Sequence, residues 1–281
     1  MYDLFVDRNS LRMNVFIIDN DLFIRLVCFL AVFAVMSIWE MAAPRRHLKF
    51  PKRLRWFHNL SLTALNSIAV KLVFPAAVVG TAFVGELNAW GLFNTLRVPN
   101  LLAGMLSLVL LDLTIYTQHF LFHKVPPFWR VHRMHHTDLD IDVTTGARFH
   151  TVEIVVSMVI KISMVIILGS PAWSVLFFEI LLNATSMFNH SNISIPIAVD
   201  GFLRKMVVTP DMHRVHHSVI IEETNSNFGF NFPWWDRLFK TYRDQPSQGH
   251  DEMVIGLANF RDPKYLTLPW MLAVPFLRNI R

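Results

Sequence analysis

The long apolar runs of this chain constrain its fold more than any other feature, because a helix needs about 17 to 25 apolar residues to cross a bilayer. Such runs lie at about 22–39, 62–84 and 101–122. A fourth apolar stretch, 152–188, is too long for one such helix, and the sequence Gly-Ser-Pro at 169–171 predicts a turn inside it. The pattern therefore predicts about five membrane-spanning helices, the last two forming a tight hairpin.

Composition agrees with a membrane protein. Hydrophobic residues make up 53% of the chain and charged residues only 17%, against about 25% charged in an ordinary soluble domain. This apolar content excludes intrinsic disorder, and the patterns that indicate strands are weak throughout. The single cysteine, Cys28, can form no internal disulfide. We therefore expect an all-α integral membrane protein.

The basic residues predict the orientation of the chain. A net charge of +5 is by itself compatible with a nucleic-acid partner. However, six basic residues and no acidic one lie between 45 and 55, directly after the first apolar run. The positive-inside rule makes this loop cytoplasmic, and counting five crossings places 123–150 and everything after about 188 on the same side. We expect a lipid environment and no nucleic-acid partner.

Eight of the thirteen histidines fall into three groups with the spacing His-x-x-x-His or His-x-x-His-His. Residues at i, i+3 and i+4 project from one face of a helix, so each group presents two or three imidazoles in a common direction. The groups are His119 and His123; His132, His135 and His136; and His213, His216 and His217. With His190, at the end of the fifth predicted span, nine imidazoles are expected to converge at one membrane face.

Nine imidazoles exceed the needs of one metal ion, because zinc takes about four ligands and octahedral iron about six. We therefore expect a dinuclear site in a cytoplasmic, histidine-rich helical cap. No Asp or Glu lies within the three groups, and imidazole ligands suit iron, zinc or copper. A zinc hydrolase is disfavoured because no His-Glu-x-x-His motif occurs, and iron with dioxygen fits better. His150 is compatible with a ligand and with a hydrogen-bond partner of one.

The order of these motifs resembles the fatty acid hydroxylase superfamily, which includes sterol desaturases, sphingolipid hydroxylases and alkylglycerol monooxygenase. The resemblance covers about residues 105–243. It rests on the three histidine groups in their order and on the sequences around them, which are Trp129 to His136, Asp142 to Thr145, Arg148 to Glu153, Met212 to His217, Asn227 to Gly229 and Trp235 to Phe239.

What the resemblance implies is a membrane-bound di-iron oxygenase, an oxidoreductase that uses O2 to hydroxylate or desaturate an acyl, sterol-like or ether lipid on the cytoplasmic side. Nothing in the chain resembles the haem-binding domain that some relatives carry. Electrons are therefore expected from a separate donor that is cytochrome b5-like, ferredoxin-like or a reductase. Hydroxylation is preferred as the simpler outcome. A lipid desaturase and, from the residues alone, a zinc-dependent membrane hydrolase remain open.

The resemblance also implies a cofactor of two iron ions, with zinc as a substitute in purified samples. The ligands carried over are His119, His123, His132, His135, His136, His190, His213, His216 and His217. Some relatives have a further histidine four residues after the one that matches His190; this chain has Ser194 there. One metal therefore has one ligand fewer, or takes His150 or water. Side chains expected to orient the ligands through hydrogen bonds are Asp142, Glu153, Asn189, Asp211 and Asn227.

The chain is expected to divide into three parts. Residues 1–100 form an N-terminal membrane anchor with two spans and the basic cytoplasmic loop. Residues 101–245 form a fatty acid hydroxylase-like catalytic domain, and 246–281 form a C-terminal tail.

Overall fold

The computed structural model describes residues 8–278, and the side chains of residues 15–278. The outermost residues of the predicted anchor and tail, 1–7 and 279–281, lie outside this range. In order, the helices are α1 (Arg8–Ala42), α2 (Lys52–Val73), α3 (Ala77–Leu87), α4 (Leu92–Thr95), α5 (Asn100–Lys124), α6 (Pro126–His136), α7 (Thr151–Leu168), α8 (Ala172–Asn189), α9 (Ile197–Leu203), α10 (Pro210–His216), α11 (Ile221–Thr224), α12 (Trp234–Leu238), α13 (Gly249–Glu252) and α14 (Leu268–Ala273).

The prediction of an all-α, multi-pass membrane protein is confirmed. Between residues 8 and 278 the only β-structure is a pair of isolated bridges, and four segments are long and apolar enough to cross a membrane. These segments are Val15–Ala42, Lys52–Thr95, Asn100–Lys124 and Thr151–Leu168. The predicted fifth span, α8, is as long as α7 but is not among them, since it carries Glu179, Asn183 and Asn189. A count of five crossings therefore stays a prediction.

The turn between α7 and α8 is the one that the sequence indicates, but the two helices do not form the predicted tight hairpin, because α3 and α5 pack against both of them and they have few close contacts with each other. Helix α7 ends at Leu168, and Gly169 follows in the left-handed conformation with φ +70°. A Cβ atom at this glycine would lie 2.3 Å from the carbonyl oxygen of Trp90, so a larger residue does not fit. Pro171 then precedes the first turn of α8, where its fixed φ is compatible with a helix start.

The second predicted span is interrupted. The sequence predicts one span over 62–84, but α2 ends at Val73 and α3 starts at Ala77. Pro75 lies in the gap, where it can donate no backbone hydrogen bond and disfavours helix in the residue before it. The segment 52–95 is therefore three consecutive helices and not one continuous rod.

The membrane helices pack around a shared apolar core. Helices α3 and α5 each contact both α7 and α8, and side chains such as Val79, Leu111, Met158 and Phe178 form one buried cluster between them. Within this bundle Glu179 of α8 accepts hydrogen bonds from Arg25 of α1 and from Lys161 of α7. Charged groups at this depth are tolerated because they pair with each other.

The remaining residues, 125–150 and 190–278, form what we call the polar cap. Its last part, 246–278, packs back on the helices that carry the histidines. Arg133 of α6 donates to the carbonyl oxygens of Val274 and Leu277 at 2.6 and 2.7 Å, and Arg148 donates to the carbonyl oxygen of Tyr265 at 2.9 Å. The C-terminal segment is therefore part of the framework of the cap. The predicted three-part division of the chain remains a prediction.

Candidate dinuclear metal site

Four helix ends bring the histidines together. His119 and His123 lie in the last two turns of α5, and Val125 alone separates that helix from α6. Helix α6 starts at two prolines and ends at His136, so its three histidines lie within its last five residues. Thr209 directly precedes α10, and its side chain accepts a hydrogen bond from the Met212 N–H as an N-cap. His190 directly follows α8.

The nine predicted ligands form two groups, and no other described residue belongs to either. Within each group one nitrogen of every ring lies within 4.8 Å of those of the other members. The five-histidine group is His119, His123, His132, His136 and His216, and the four-histidine group is His135, His190, His213 and His217. The two groups are in contact, since the rings of His136 and His217 stack with their centroids 4.5 Å apart.

Each His-x-x-His-His motif contributes to both groups. In α6 the i and i+4 residues, His132 and His136, belong to the five-histidine group, whereas His135 turns to the other. At α10 the assignment is reversed, with His216 in the five-histidine group and His213 and His217 in the four-histidine group. Two motifs of the same spacing therefore place two metal-binding groups side by side.

Five of the nine rings are fixed by a hydrogen bond at Nδ1. Four of these bonds go to backbone carbonyl oxygens and one goes to a carboxylate, which leaves Nε2 of each ring directed toward its group. The pairs are His119 with Phe228 O at 2.8 Å, His132 with Glu153 Oε1 at 2.6 Å, His135 with Arg148 O at 3.0 Å, His190 with Ser186 O at 2.7 Å and His216 with Ser226 O at 2.7 Å. A hydrogen bond of this kind fixes the tautomer of a metal-ligating imidazole.

The facing nitrogens indicate that the groups are built for a cation. Nε2 of His190 lies 3.1 Å from Nε2 of His135 and 3.0 Å from Nε2 of His213. The Nδ1 atoms of His135 and His190 both donate to carbonyls, so both Nε2 atoms are lone-pair acceptors. A proton between them is disfavoured because burial lowers the pKa of His135 and brings the pKa of His190 down to about 4. A metal ion bound between the two nitrogens would accept both lone pairs and so remove their repulsion.

Unpartnered nitrogens point to the same conclusion. Nε2 of His119, His123 and His216 and both ring nitrogens of His217 are buried without a hydrogen-bond partner. Buried polar groups are normally satisfied, and leaving one unsatisfied costs about 1–3 kcal/mol. Burial also brings the pKa of His216 down to about 3, so its ring is neutral and competent as a ligand near pH 7. The residues present therefore fit two metal ions with imidazole ligands.

His150 lies outside both groups. Its Nδ1 accepts the Val152 N–H at 3.1 Å as the N-cap of α7, and its Nε2 donates to the carbonyl oxygen of Leu272 at 3.3 Å. Both nitrogens thus have protein partners. Ser194, at the place where some relatives have a histidine, donates its N–H to the carbonyl oxygen of Ala43.

Of the five side chains expected to orient the ligands, Glu153 hydrogen-bonds one of them, His132. The other four have different hydrogen-bond partners. Asp142 accepts a hydrogen bond from Arg55 and caps the turn at 143–147, and Asn189 donates to the carbonyl oxygen of Phe230. Asp211 forms ion pairs with Arg45 and Arg214. Asn227 hydrogen-bonds the backbone of Met212 and Arg243. The carbonyls of Phe228, Ser226, Arg148 and Ser186 hold grouped imidazoles instead, and the side-chain pattern did not predict them.

Sequence reasoning also missed the role of the basic segment. Arg55 was expected in an exposed cytoplasmic loop, but it lies in α2 with no exposed surface. It donates to both oxygens of Asp138 at 2.9 Å and to Asp142. Burial alone would raise the pKa of Asp138, but Arg55 and Arg148 outweigh it and lower the pKa. The alternating acids at 138, 140 and 142 were the signal that a buried cation lies nearby.

Residues 104–241 match the family model described as fatty acid hydroxylase. This segment is a fatty acid hydroxylase domain. It contains all nine grouped histidines. The recognition made from the motifs is therefore confirmed.

Curated relatives extend the similarity beyond this domain. Ornithine lipid hydroxylase OlsE of Rhizobium tropici is 26% identical over 263 residues, which cover 91% of this chain and 76% of the relative. Alkylglycerol monooxygenase of Xenopus tropicalis is 24% identical over 75% of this chain, and the alignment covers 46% of that relative. Alkylglycerol monooxygenase of Homo sapiens is 25% identical over 53% of this chain, and the alignment covers 31% of that relative. No solved structure matches the chain. These relatives are named as a lipid hydroxylase and as monooxygenases, which confirms the prediction of an oxidoreductase.

Proposed function

We propose that this protein is a membrane-bound di-iron monooxygenase that hydroxylates a lipid with O2 and electrons from a separate donor. The observation that carries the proposal is the pair of contacting imidazole groups, five and four residues strong, inside a fatty acid hydroxylase domain. Nine imidazoles divided in this way give each of two ions a full set of protein ligands. Iron fits this role, and zinc is expected to compete for the same nitrogens in purified samples.

The chain's own residues hold the metals and exclude water. Iron bound at both groups would supply the activation of O2 that attack on an unactivated C–H bond needs. The carbonyls of Phe228, Ser226, Arg148 and Ser186 and the carboxylate of Glu153 hold five rings in one tautomer. Eight of the nine histidines are fully buried, so bulk water is kept from the metals.

The substrate and donor are proposed from the relatives and the resemblance. The relatives are named as an ornithine lipid hydroxylase and an alkylglycerol monooxygenase, and both names describe lipids. An acyl, sterol-like or ether lipid is therefore the substrate class. The donor is proposed as a separate cytochrome b5-like, ferredoxin-like or reductase protein.

The proposed orientation places the cap and its metals on the cytoplasmic side. It is supported by the basic residues that follow α1, several of which are bound to the cap. Arg45 pairs with Asp211 and Asp251, and Arg46 donates to the carbonyl oxygen of Met253. The basic segment and the histidines therefore share one side of the spans. We further propose the three-part division at 1–100, 101–245 and 246–281, with the last part packed on the second.

Lipid mass spectrometry tests the reaction. Cells that express the chain are compared with cells that express the His135→Ala variant, aerobically and without oxygen. A lipid that gains one oxygen only in the aerobic wild-type cells supports hydroxylation. Loss of two hydrogens would show a desaturase instead, and an oxygen-independent cleavage product would favour a zinc hydrolase.

A further inference from the structure

Two short helices of the polar cap, α9 and α12, expose most of its large apolar side chains. Ten such side chains are exposed in 125–150 and 190–278, and seven of them lie at 197–206 or 234–239. A cluster of this kind on a protein surface marks a contact with a partner or with a membrane. We call it the α9–α12 face, and its members are Ile197, Val199, Phe202, Met206, Trp234, Leu238 and Phe239.

Helix α9 is apolar on its exposed side and has a charged pair on its buried side. Val199, Phe202 and Met206 are exposed and are spaced i, i+3 and i+7, which places them on one side. Asp200 and Arg204 are buried and pair with each other. The charged pair is thus turned inward, and apolar groups are turned outward.

Helix α12 has the same arrangement. Trp234 and Leu238, at i and i+4, are exposed. The buried carboxylate of Asp236 accepts hydrogen bonds from the N–H groups of Phe228 and Gly229, at 2.8 Å each. Because these bonds hold α12 on the cap, its apolar side chains cannot turn inward without breaking them. The exposure of these side chains is therefore built into the fold.

Hydrogen bonds hold the two helices side by side. The indole Nε1 of Trp234 donates to the carbonyl oxygen of Lys205 at 2.8 Å, and Arg237 donates to the carbonyl oxygen of Arg204 at 2.9 Å. The Trp234 indole therefore reaches from α12 to the residues that follow α9. The apolar side chains of the two helices form one surface and not two separate patches.

The α9–α12 face lies at the level where α5 leaves the lipid. Five of the six exposed large apolar side chains of α5 lie between 101 and 109. Helix α12 contacts α5 directly beyond them, since Trp235 donates to Asp112 at 2.8 Å and Phe239 stacks on Tyr116. Position 112 is roughly 5 Å past position 109, at about 1.5 Å per residue. The face therefore continues the lipid-facing surface of this span at its edge.

The exposed charges on this face have one sign. In 197–206 and 234–240 the exposed charged side chains are Lys205, Arg237 and Lys240, whereas Asp200 and Asp236 are buried. Basic residues beside an apolar surface are attracted to anionic lipid headgroups, and tryptophan is enriched at the same depth. A second copy of the chain would bring like charges together across this face. A leaflet that contains anionic lipid is the better complement.

We propose that the α9–α12 face inserts into the lipid leaflet that adjoins the cap, and that Lys205 and Lys240 bind anionic headgroups around it. The apolar side chains then lie at the boundary between headgroups and acyl chains, as in helices that lie in the plane of a membrane. This contact is additional to the spans, and it fixes the tilt of the cap over the bilayer. It does not depend on the reaction that the histidines support.

Depth-dependent quenching tests the insertion. In a Cys28→Ser background, Phe202→Cys and Leu238→Cys carry a small fluorophore, and Gln248→Cys, exposed on the cap and outside this face, is the matched control. A nitroxide on the acyl chain of phosphatidylcholine in nanodiscs should quench the labels at 202 and 238 roughly three-fold more than the label at 248. Iodide in the water should quench them in the opposite order. Equal quenching at all three positions would overturn the proposal.

Nanodiscs that hold one chain each distinguish the leaflet from a second copy. The nitroxide should quench the labels at 202 and 238 in these discs as strongly as in discs that hold two chains. Shielding from iodide that occurs only in discs with two chains would assign the face to a second copy and refute the lipid contact. All three labelled variants should keep the urea unfolding midpoint of wild type, because the substituted side chains are exposed.

Charge substitution tests the lipid class. Phosphatidylglycerol in place of phosphatidylcholine should raise nitroxide quenching at 238 roughly two-fold, and Lys205→Gln with Lys240→Gln should abolish this increase. Lys49→Gln with Arg53→Gln also removes two exposed cations, but outside the α9–α12 face, and should retain the increase. An equal response of the two double variants, or no increase in Leu238→Cys itself, would contradict the binding of anionic headgroups.

Discussion

Two buried polar clusters lie side by side in the cap, and they are built in opposite ways. Around Arg55, every side-chain nitrogen and oxygen of Arg55, Arg148 and Asp138 has a hydrogen-bond partner. In the histidine groups, several ring nitrogens face one another or have no partner. Buried polar groups are expected to be satisfied, so the first cluster is a framework and the second is a cluster that could hold metal ions.

The clusters are connected. The carbonyl oxygen of Arg148 accepts the hydrogen bond from His135 Nδ1, while the side chain of Arg148 donates to Asn59 and Thr137. The satisfied cluster therefore holds the unsatisfied one in place. Substitutions in the two clusters should therefore have different consequences for stability and for activity.

The largest effect is expected on activity when a ligand is removed. His135→Ala and His216→Ala each take one ligand from a different group. Product formation should fall by more than the roughly 10- to 100-fold range seen for residues that only orient a ligand. Lipid mass spectrometry of the variants measures this. His47→Ala, at an exposed position, is the control, and equal activity in all three variants would show that the grouped histidines are not the site.

The second-largest effect is expected on the free energy of unfolding, and it should differ between the two clusters. Arg55→Leu leaves Asp138 and Asp142 buried without their cation, and breaking a buried pair in this way costs about 3–5 kcal/mol. His213→Leu should leave the metal-free protein about as stable as wild type, because it replaces a buried ring whose Nδ1 has no hydrogen-bond partner. Urea unfolding of metal-free protein in detergent measures both, with Arg53→Leu as the exposed control. A larger loss from His213→Leu than from Arg55→Leu would reverse our comparison.

A smaller effect is expected from the carboxylate that joins the site. Glu153→Ala removes the acceptor for His132 Nδ1, and metal affinity or activity should fall roughly 10- to 100-fold. Glu153→Gln keeps an acceptor oxygen and should fall less. Metal titration followed by activity checks the order. Glu222→Gln changes an exposed carboxylate and should have no effect; if the two Glu153 variants match it, the hydrogen bond has no functional role.

The smallest effect is a dependence of stability on pH in metal-free protein. Burial brings the pKa values of His190 and His216 down to about 4 and about 3, whereas unfolded histidine titrates near 6.5. Below about pH 6.5 the unfolded state therefore binds protons that the folded state does not, and stability is lost as the pH falls. Burial raises the pKa of Asp140 and brings that of Asp236 to about 6, which opposes this trend, but burial also lowers the pKa values of His135, His136, His213 and His217. Urea midpoints at pH 7.5, 6 and 5 should decrease in that order, and a constant midpoint would contradict the assignment.

Much of this arrangement was predictable from the sequence, because it depends on spacing. The i and i+4 histidines and the Gly-Ser-Pro turn at 169–171 have direct geometric consequences, and the structure has nine histidines in two contacting groups and a turn between α7 and α8 at that place. The break at Pro75 was also visible, although the sequence was interpreted as one span. The division of each His-x-x-His-His motif between two groups was not predictable, because it depends on which helices lie opposite.

The supports of the site left less trace in the sequence. The carbonyl oxygens of Phe228 and Ser226 belong to the backbone. Every residue type has such an oxygen, so the sequence does not indicate which ones bond a histidine. Arg55 has the same charge as its five basic neighbours, and only its place on the buried face of α2 distinguishes it. Asp211 and Asn227 are of residue types that often hydrogen-bond a metal-ligating histidine, but here they bond other parts of the cap.

The most direct test of the central claim is the number of metal ions per chain. Elemental analysis of protein purified without added metal is carried out on wild type, His135→Ala, His216→Ala and the control His47→Ala. We predict about two irons per chain in wild type and in the control, and a loss of metal in both ligand variants. Two zincs would retain the dinuclear site and leave oxygen dependence to identify the reaction. One metal or none in folded wild-type protein would contradict the account.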